Sequence, residues 1–131
     1  MMKKNKTFSA HFSGKRVLVV EDEYLLADET RRQLQHLGAM VIGPADDVEE
    51  AMALIIDQKV DAAILDIFLD GELVFPVAEK LEELAIPYVF ATGYDLSVVP
   101  AHFSGFILSE KPIDLENIAE ALFGRSERKS H

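Results

Sequence analysis

Short, unbroken apolar runs recur along this chain, and most of them end in polar or acidic residues. The first run covers residues 15–20 and stops at Glu21, Asp22 and Glu23. Apolar runs without alternation are typical of strands that are buried on both faces, as in a parallel sheet. The pattern therefore predicts five strands, and the other four lie at residues 40–42, 60–66, 87–92 and 106–109.

Between these runs, apolar residues recur at helical spacing. The first helix is predicted over residues 24–37, with Gly38 as its stop. The second helix is predicted to begin at a capping residue, Asp46 or Asp47, and to bury Ala51, Leu54 and Ile55. The third helix is marked by Val77, Leu81 and Leu84. A closing helix is predicted over residues 115–123. The stretch at 96–102 is expected to give only a short or irregular fourth helix, because it contains Pro100.

The alternation of strand and helix predicts an α/β fold, a parallel sheet with helices on both faces. The 131 residues suit a single domain. No apolar run approaches the ~20 residues that span a bilayer, and the N-terminus lacks the apolar stretch of a secretory signal. The absence of cysteine excludes disulfides and thiolate chemistry. We expect a cytoplasmic protein that binds no membrane.

Charge is distributed unevenly along the chain, whose formal net charge is −10. Residues 1–16 contain five basic residues and no acidic one, and residues 125–131 are also net basic. We predict mobile tails at residues 1–14 and 125–131 around a domain at residues 15–124. The domain is strongly acidic, so it is not expected to bind nucleic acid. It suits a divalent cation or a partner with a basic surface.

Polar side chains follow four of the predicted strands, at the edge where open parallel sheets bind ligands. Glu21 and Asp22 follow the first strand, Asp66 ends the third, Thr92 ends the fourth, and Lys111 follows the fifth. With strand order 2-1-3-4-5, the first and third strands are neighbours, so their three acids converge. Three such carboxylates require compensating charge, and a hard cation such as Mg²⁺ supplies it. Each residue alone is ordinary for a solvated loop, but the ordered set predicts a site.

These motifs, taken together, resemble the receiver domain of two-component response regulators. The resemblance covers about residues 15–124 and rests on VLVVEDE at 17–23, ILD at 64–66, ATG at 91–93 and EKP at 110–112. It implies a flavodoxin-like fold of the CheY type, with the five strands in the order 2-1-3-4-5. It also implies that the chain is no enzyme toward other molecules, and that its own chemistry is limited to gaining and losing a phosphoryl group.

The resemblance assigns a role to each matching residue. Asp66 becomes the phosphoacceptor, which takes a phosphoryl group from a sensor histidine kinase or a histidine phosphotransfer protein. Asp22, Asp66 and the backbone carbonyl of Phe68 hold Mg²⁺ or Mn²⁺, and Glu21 acts through water. Thr92 hydrogen-bonds the phosphoryl group.

Lys111 is implied to pair with the phosphoryl group. Leu108, three positions before it, stands where receivers generally carry a switching aromatic residue. Tyr94 is a candidate substitute for that aromatic residue. The alternative is that Tyr94 is only an amphipathic residue at the rim of the cleft. Phe68 stands where a polar residue is more usual, and we expect it to restrict the attacking water. Tyr94, Leu108 and Phe68 are therefore the switch candidates.

A narrower resemblance concerns PYVFATGY at residues 87–94 and GELVFPVA at residues 71–78. Both are similar to the so-called FAT GUY receivers, single-domain regulators of alphaproteobacteria. Such proteins have no output domain, so the resemblance implies signalling through protein–protein contacts. We expect a monomer or a weak dimer.

Two other functions stay open. A phosphorylation-independent interaction module would fit the leucine at position 108. A small phosphatase of the haloacid-dehalogenase type would use Asp66 as its nucleophile. That class requires a second acid two positions on, where Phe68 stands, and Asp70 is too far along to match.

Overall fold

A parallel sheet forms the centre of this computed structural model, which describes residues 11–91, 103, 106–108 and 122–123. In chain order the elements are β1 (Arg16–Val20), α1 (Tyr24–His36), β2 (Met40–Ala45), α2 (Val48–Asp57), β3 (Ala62–Leu65), β4 (Phe68–Leu69), β5 (Glu72–Leu73), α3 (Phe75–Glu83), β6 (Tyr88–Ala91) and β7 (Phe106–Leu108). The five-stranded sheet has the order β2-β1-β3-β6-β7. All of its pairings are parallel. The predicted α/β fold and strand order are confirmed.

Two hydrophobic clusters cover the two faces of the sheet. Successive side chains of a strand point to opposite faces, so Leu18 of β1 packs in one cluster and Val19 packs in the other. The first cluster also takes Ile55 of α2 and Leu81 of α3. The second takes Leu34 of α1. Helices therefore lie on both faces, as predicted.

The second strand is longer than the sequence indicated. We expected Gly43-Pro44 to end it after Ile42, but β2 continues to Ala45. The register shifts between Leu18 and Val20 of β1, and β2 then pairs again through Ala45. Gly43 has a φ of +92°, and a Cβ there would lie only 3.1 Å from the Val19 carbonyl oxygen. Gly43 thus allows an irregularity within β2, and the strand does not end there.

The ends of two helices test the predicted caps and stripes. The carboxylate of Asp47 accepts a hydrogen bond from the Glu50 N–H at 2.8 Å, so Asp47 is the residue that caps α2. In α3, Val77 and Leu81 are buried as expected. Leu84 follows the last residue of that helix and is 47% exposed. The predicted third helix therefore ends one residue before Leu84, the last of the three residues that marked it in the sequence.

Residues 11–14, which we assigned to the N-terminal tail, pack against the domain. The side chain of Phe12 is 0% exposed, and its ring meets the ring of Phe123 edge to face at 5.5 Å between centroids. His11 stacks on Phe123 at 6.0 Å, and Lys15 Nζ lies 5.6 Å from the centre of the same ring. The tail boundary at residue 14 is therefore wrong for these residues, because an aromatic ring reaches an apolar site beside the sheet.

Several predictions fall on residues outside the described ranges. They concern residues 1–10 and 125–131 of the tails, the irregular fourth helix at 96–102, and the closing helix up to residue 121. Among the residues that the structure does describe, no helix has the length and apolar character needed to cross a bilayer.

The packing of Phe12 gives a stability prediction. We expect Phe12→Ala to lower the free energy of unfolding by about 3–5 kcal/mol, because it removes a buried ring and leaves a cavity. Phe12→Leu, which keeps most of the apolar volume, should lose clearly less. Urea denaturation followed by circular dichroism measures both values. An unfolding midpoint of Phe12→Ala equal to that of the unsubstituted chain would place the ring in a solvated tail.

Candidate functional site

The strands β1 and β3 end side by side at one edge of the sheet. Val20 is paired with Leu65, so Glu21 and Asp66 follow in adjacent positions. Backbone hydrogen bonds extend the ladder by one step: Glu21 N–H donates to the Ala45 carbonyl at 2.9 Å, and Asp66 N–H donates to the Val20 carbonyl at 2.9 Å. The backbone of the sheet thus delivers two carboxylates to the same place.

A cluster of three carboxylates results. Ligand oxygens of Glu21, Asp22 and Asp66 all lie within 4.8 Å of one another. Glu21 is 6% exposed and Asp66 is 4% exposed, whereas Asp22 is exposed. Glu21 Oε2 also accepts a hydrogen bond from the Glu23 N–H at 3.1 Å, which orients that carboxylate. The structure brings together the three acids that we expected to converge.

These acids line a cavity of about 610 Å³. Its lining among the described residues consists of five acids, Glu21, Asp22, Glu23, Asp66 and Asp70, together with Phe68 and Gly71. Like charges at this spacing repel one another, and the repulsion strengthens where water is partly excluded. The cavity therefore favours a cation. Sequence reasoning did not assign Glu23 or Asp70 to the lining.

A small antiparallel hairpin forms one wall of the cavity, and the sequence reasoning missed it. Phe68 pairs with Leu73 across β4 and β5. The two turn residues both have positive φ, 47° at Asp70 and 91° at Gly71. Asp-Gly is the dipeptide that favours such two-residue turns, so the signal was present in the sequence. The hairpin holds Phe68 and Asp70 at the cavity.

A second group of acids lies nearby but has a different character. Asp46, Asp47 and Glu50 also bring ligand oxygens within 4.8 Å of one another, and all three are exposed. The carboxylate of Asp47 is engaged in capping α2. This group resembles a solvated helix terminus, whereas the cluster around Asp66 includes two buried carboxylates.

A neighbouring cavity of about 360 Å³ lies beside α1 and shares Glu21 and Asp22 with the first. Its one basic residue among those described is Arg31. Arg31 donates a hydrogen bond to Asp28, and Arg32 Nε lies 3.2 Å from the other oxygen of that carboxylate. These interactions, the Arg31 hydrogen bond foremost, hold the pKa of Asp28 below its ordinary value. The positive charge of Arg31 is thus compensated by Asp28 of the same helix.

The fold and the acidic cluster agree with what known proteins show. The family model of the response regulator receiver domain matches residues 17–123. The chain belongs to this family. The sensory transduction protein LytT of Bacillus subtilis (strain 168) is 37% identical over 111 residues, which cover 82% of this chain and 46% of that protein. The receiver therefore spans about half the length of the curated relatives it matches.

Solved structures support the same conclusion. The solution structure of SdrG from Sphingomonas melonis Fr1 is 40% identical, with a TM-score of 0.71, and the match covers 83% of this receiver and 93% of that chain. The crystal structure of the response regulator PhyR from Brucella abortus is 26% identical, with a TM-score of 0.75, over 95% of this receiver and 54% of that chain. These neighbours support the narrower resemblance to the FAT GUY group.

Some of the residues assigned by resemblance lie outside the described part of this receiver. Thr92 follows Ala91, the last residue of β6, but it is itself not described, nor are Tyr94 and Lys111. Leu108 is the last residue of β7 and pairs with Ala91. The backbone thus places position 108 beside the strand that leads into position 92.

Proposed function

We propose that this receiver accepts a phosphoryl group on Asp66 from a phosphohistidine. The donor would be a sensor histidine kinase or a histidine phosphotransfer protein, and the output would pass through protein–protein contacts. The observation that carries the proposal is the buried carboxylate of Asp66 in a cavity with Glu21 and Asp22. Membership of the receiver family supports the same assignment.

The residues present fit a hard divalent cation. Mg²⁺ is bound in proteins by one or two carboxylates together with waters and phosphate oxygens. We propose that Asp22, Asp66 and the carbonyl of Phe68 hold Mg²⁺ or Mn²⁺, with Glu21 acting through water. When bound, the cation would neutralise negative charge on the transferred phosphoryl group. Without it, three carboxylates within 4.8 Å would repel an incoming phosphate.

The transfer itself requires little from the chain besides position. A carboxylate oxygen of Asp66 forms the new bond to phosphorus, the bond from phosphorus to the donor's imidazole nitrogen breaks, and the imidazole takes up a proton. The low exposure of Asp66 limits the access of competing water. Thr92 is proposed to donate a hydrogen bond to the phosphoryl oxygens, and Lys111 to pair with their charge.

The acquired charge is the signal in this proposal. A phosphoryl group adds about −1.5 to −2 charges, and a local change of this kind biases a surface between two arrangements. Apart from gaining and losing the group at Asp66, we propose no enzymatic activity. A phosphatase of the haloacid-dehalogenase type is disfavoured, because Phe68 occupies the position of the second acid, and Asp70 lies in the hairpin turn.

The proposal is tested by incubating the chain with acetyl phosphate and Mg²⁺ and measuring its intact mass. We expect the mass of one phosphoryl group to be added, and the adduct to be hydrolysed at alkaline pH. No adduct should form when Mg²⁺ is chelated before acetyl phosphate is added. Asp66→Asn should abolish the adduct completely, because an amide is not a nucleophile for phosphorus. Asp47→Asn, outside the cavity and still able to cap a helix, is the matched control and should keep it.

Other outcomes identify the other functions. Repeated turnover of unrelated phosphate esters would support the phosphatase. A folded chain that gains no phosphoryl group from acetyl phosphate or from a phosphorylated histidine kinase would leave the interaction module.

Phe68 gives a separate kinetic prediction. Its side chain is half-buried at the wall of the cavity, where it would shield the phosphoryl group from attacking water. We expect Phe68→Asn to raise the rate of dephosphorylation several-fold, as measured by loss of the adduct after removal of the donor. Leu73→Asn, on the paired position of the same hairpin, is the control. A rate that is unchanged or lower in Phe68→Asn contradicts the shielding role.

A further inference from the structure

Three aromatic rings meet in the hydrophobic cluster on one face of the sheet. Phe75 is the first residue of α3, Phe90 lies in β6, and Phe103 precedes β7. The ring centroids are 5.9 Å apart for Phe75 and Phe90, 5.5 Å for Phe75 and Phe103, and 5.8 Å for Phe90 and Phe103. Phe103 stacks on Phe75 at an interplanar angle of 28° and meets Phe90 edge to face at 77°. Such contacts add to the burial of the rings.

Two of these rings are tied to the residues on either side of Asp66. Phe90 is paired with Leu65, the residue before Asp66. The N–H of Val74, the residue before Phe75, donates to the carbonyl of Ile67 at 2.9 Å, and Ile67 is the residue after Asp66. The backbone flanking Asp66 therefore sets the positions of both rings.

Phe103 packs on both rings and is 9% exposed. Phe90 is fully buried within the sheet, and Phe75 is only half-buried. Packed interiors leave little free space, so a small shift of Phe75 or Phe90 changes the position of the ring that packs on them. Phe103 contacts both of the other rings, so a change in the spacing of Phe75 and Phe90 changes the packing of Phe103 directly.

We propose that Phe103 senses the state of Asp66 through Phe75 and Phe90. This inference rests on the proposed phosphorylation of Asp66 and names the side chain that reports it. A new bond and new charge at Asp66 shift the flanking backbone and alter the spacing of Phe75 and Phe90. The packing of Phe103 on these two rings is then weakened. Because coupling between two sites is reciprocal in equilibrium binding, truncation of Phe103 must also change the affinity of the cavity for a phosphoryl group.

The chain contains no tryptophan, so a substituted tryptophan is a unique fluorescent probe. We expect the emission of Phe103→Trp to shift to longer wavelength, and its quenching by iodide to increase, when acetyl phosphate and Mg²⁺ add a phosphoryl group. Asp66→Asn in the same chain should remove the response. Phe12→Trp is the matched control, because Phe12 is a buried ring in the cluster on the other face of the sheet. Its emission should not change.

The intact mass of the same samples separates the possible failures. An adduct without any change in the emission of Phe103→Trp overturns the role of Phe103 and leaves the proposed function intact. The absence of an adduct from the unsubstituted chain overturns the proposed function, and the inference with it. An equal response from Phe12→Trp also overturns the inference, because it would show a change of the whole fold.

A second variant tests the reciprocal effect without a bulky probe. Phe103→Leu weakens the packing of residue 103 on Phe75 and Phe90, which the proposal assigns to the unphosphorylated state. The phosphorylated state is thereby favoured, so we expect beryllofluoride, a non-covalent phosphoryl analogue, to bind with Mg²⁺ at least about fivefold more tightly. Phe12→Leu should leave this affinity unchanged. Calorimetric titration measures the dissociation constants. Unchanged or weaker binding of beryllofluoride by Phe103→Leu contradicts the coupling.

Discussion

The parallel pairing of Val20 with Leu65 forces two carboxylates to leave the sheet side by side. Glu21 and Asp66 are then buried next to each other, and Asp22 adds a third charge within 4.8 Å. An arrangement of this kind is unfavourable unless a cation compensates the negative charge. The rest of the domain supports it, because two hydrophobic clusters hold the strands in the register that keeps the acids together. The candidate site is thus a consequence of strand register as much as of residue identity.

Much of this arrangement was predictable from the sequence. Strands that are buried on both faces produce continuous apolar runs, so β1, β3 and β6 were recognised from residues such as Val19, Ile64 and Val89. Acids directly after two such runs could only meet at the carboxyl edge of a parallel sheet. The meeting of Glu21 with Asp66 required only that β1 and β3 be neighbours.

Other features were not predictable, because they depend on contacts between distant segments or on a locally unusual backbone. The burial of Phe12 depends on Phe123, more than a hundred residues away in the sequence. The continuation of β2 beyond Gly43 depends on a left-handed glycine within a strand, where the sequence pattern favours a turn. The Asp70-Gly71 hairpin did carry a local signal, but its strands are only two residues long, too short to give a periodic pattern.

The most direct test of the central claim is a titration with Mg²⁺ followed by the backbone amide signals in two-dimensional NMR. If the register of β1 and β3 creates the cation site, the signals of Glu21, Asp22 and Asp66 should shift along one saturation curve. The exposed acids around Asp47 should respond little, because they are solvated and partly engaged in capping a helix. The account is contradicted if the saturable shifts centre on the acids around Asp47 while Glu21 and Asp66 do not move.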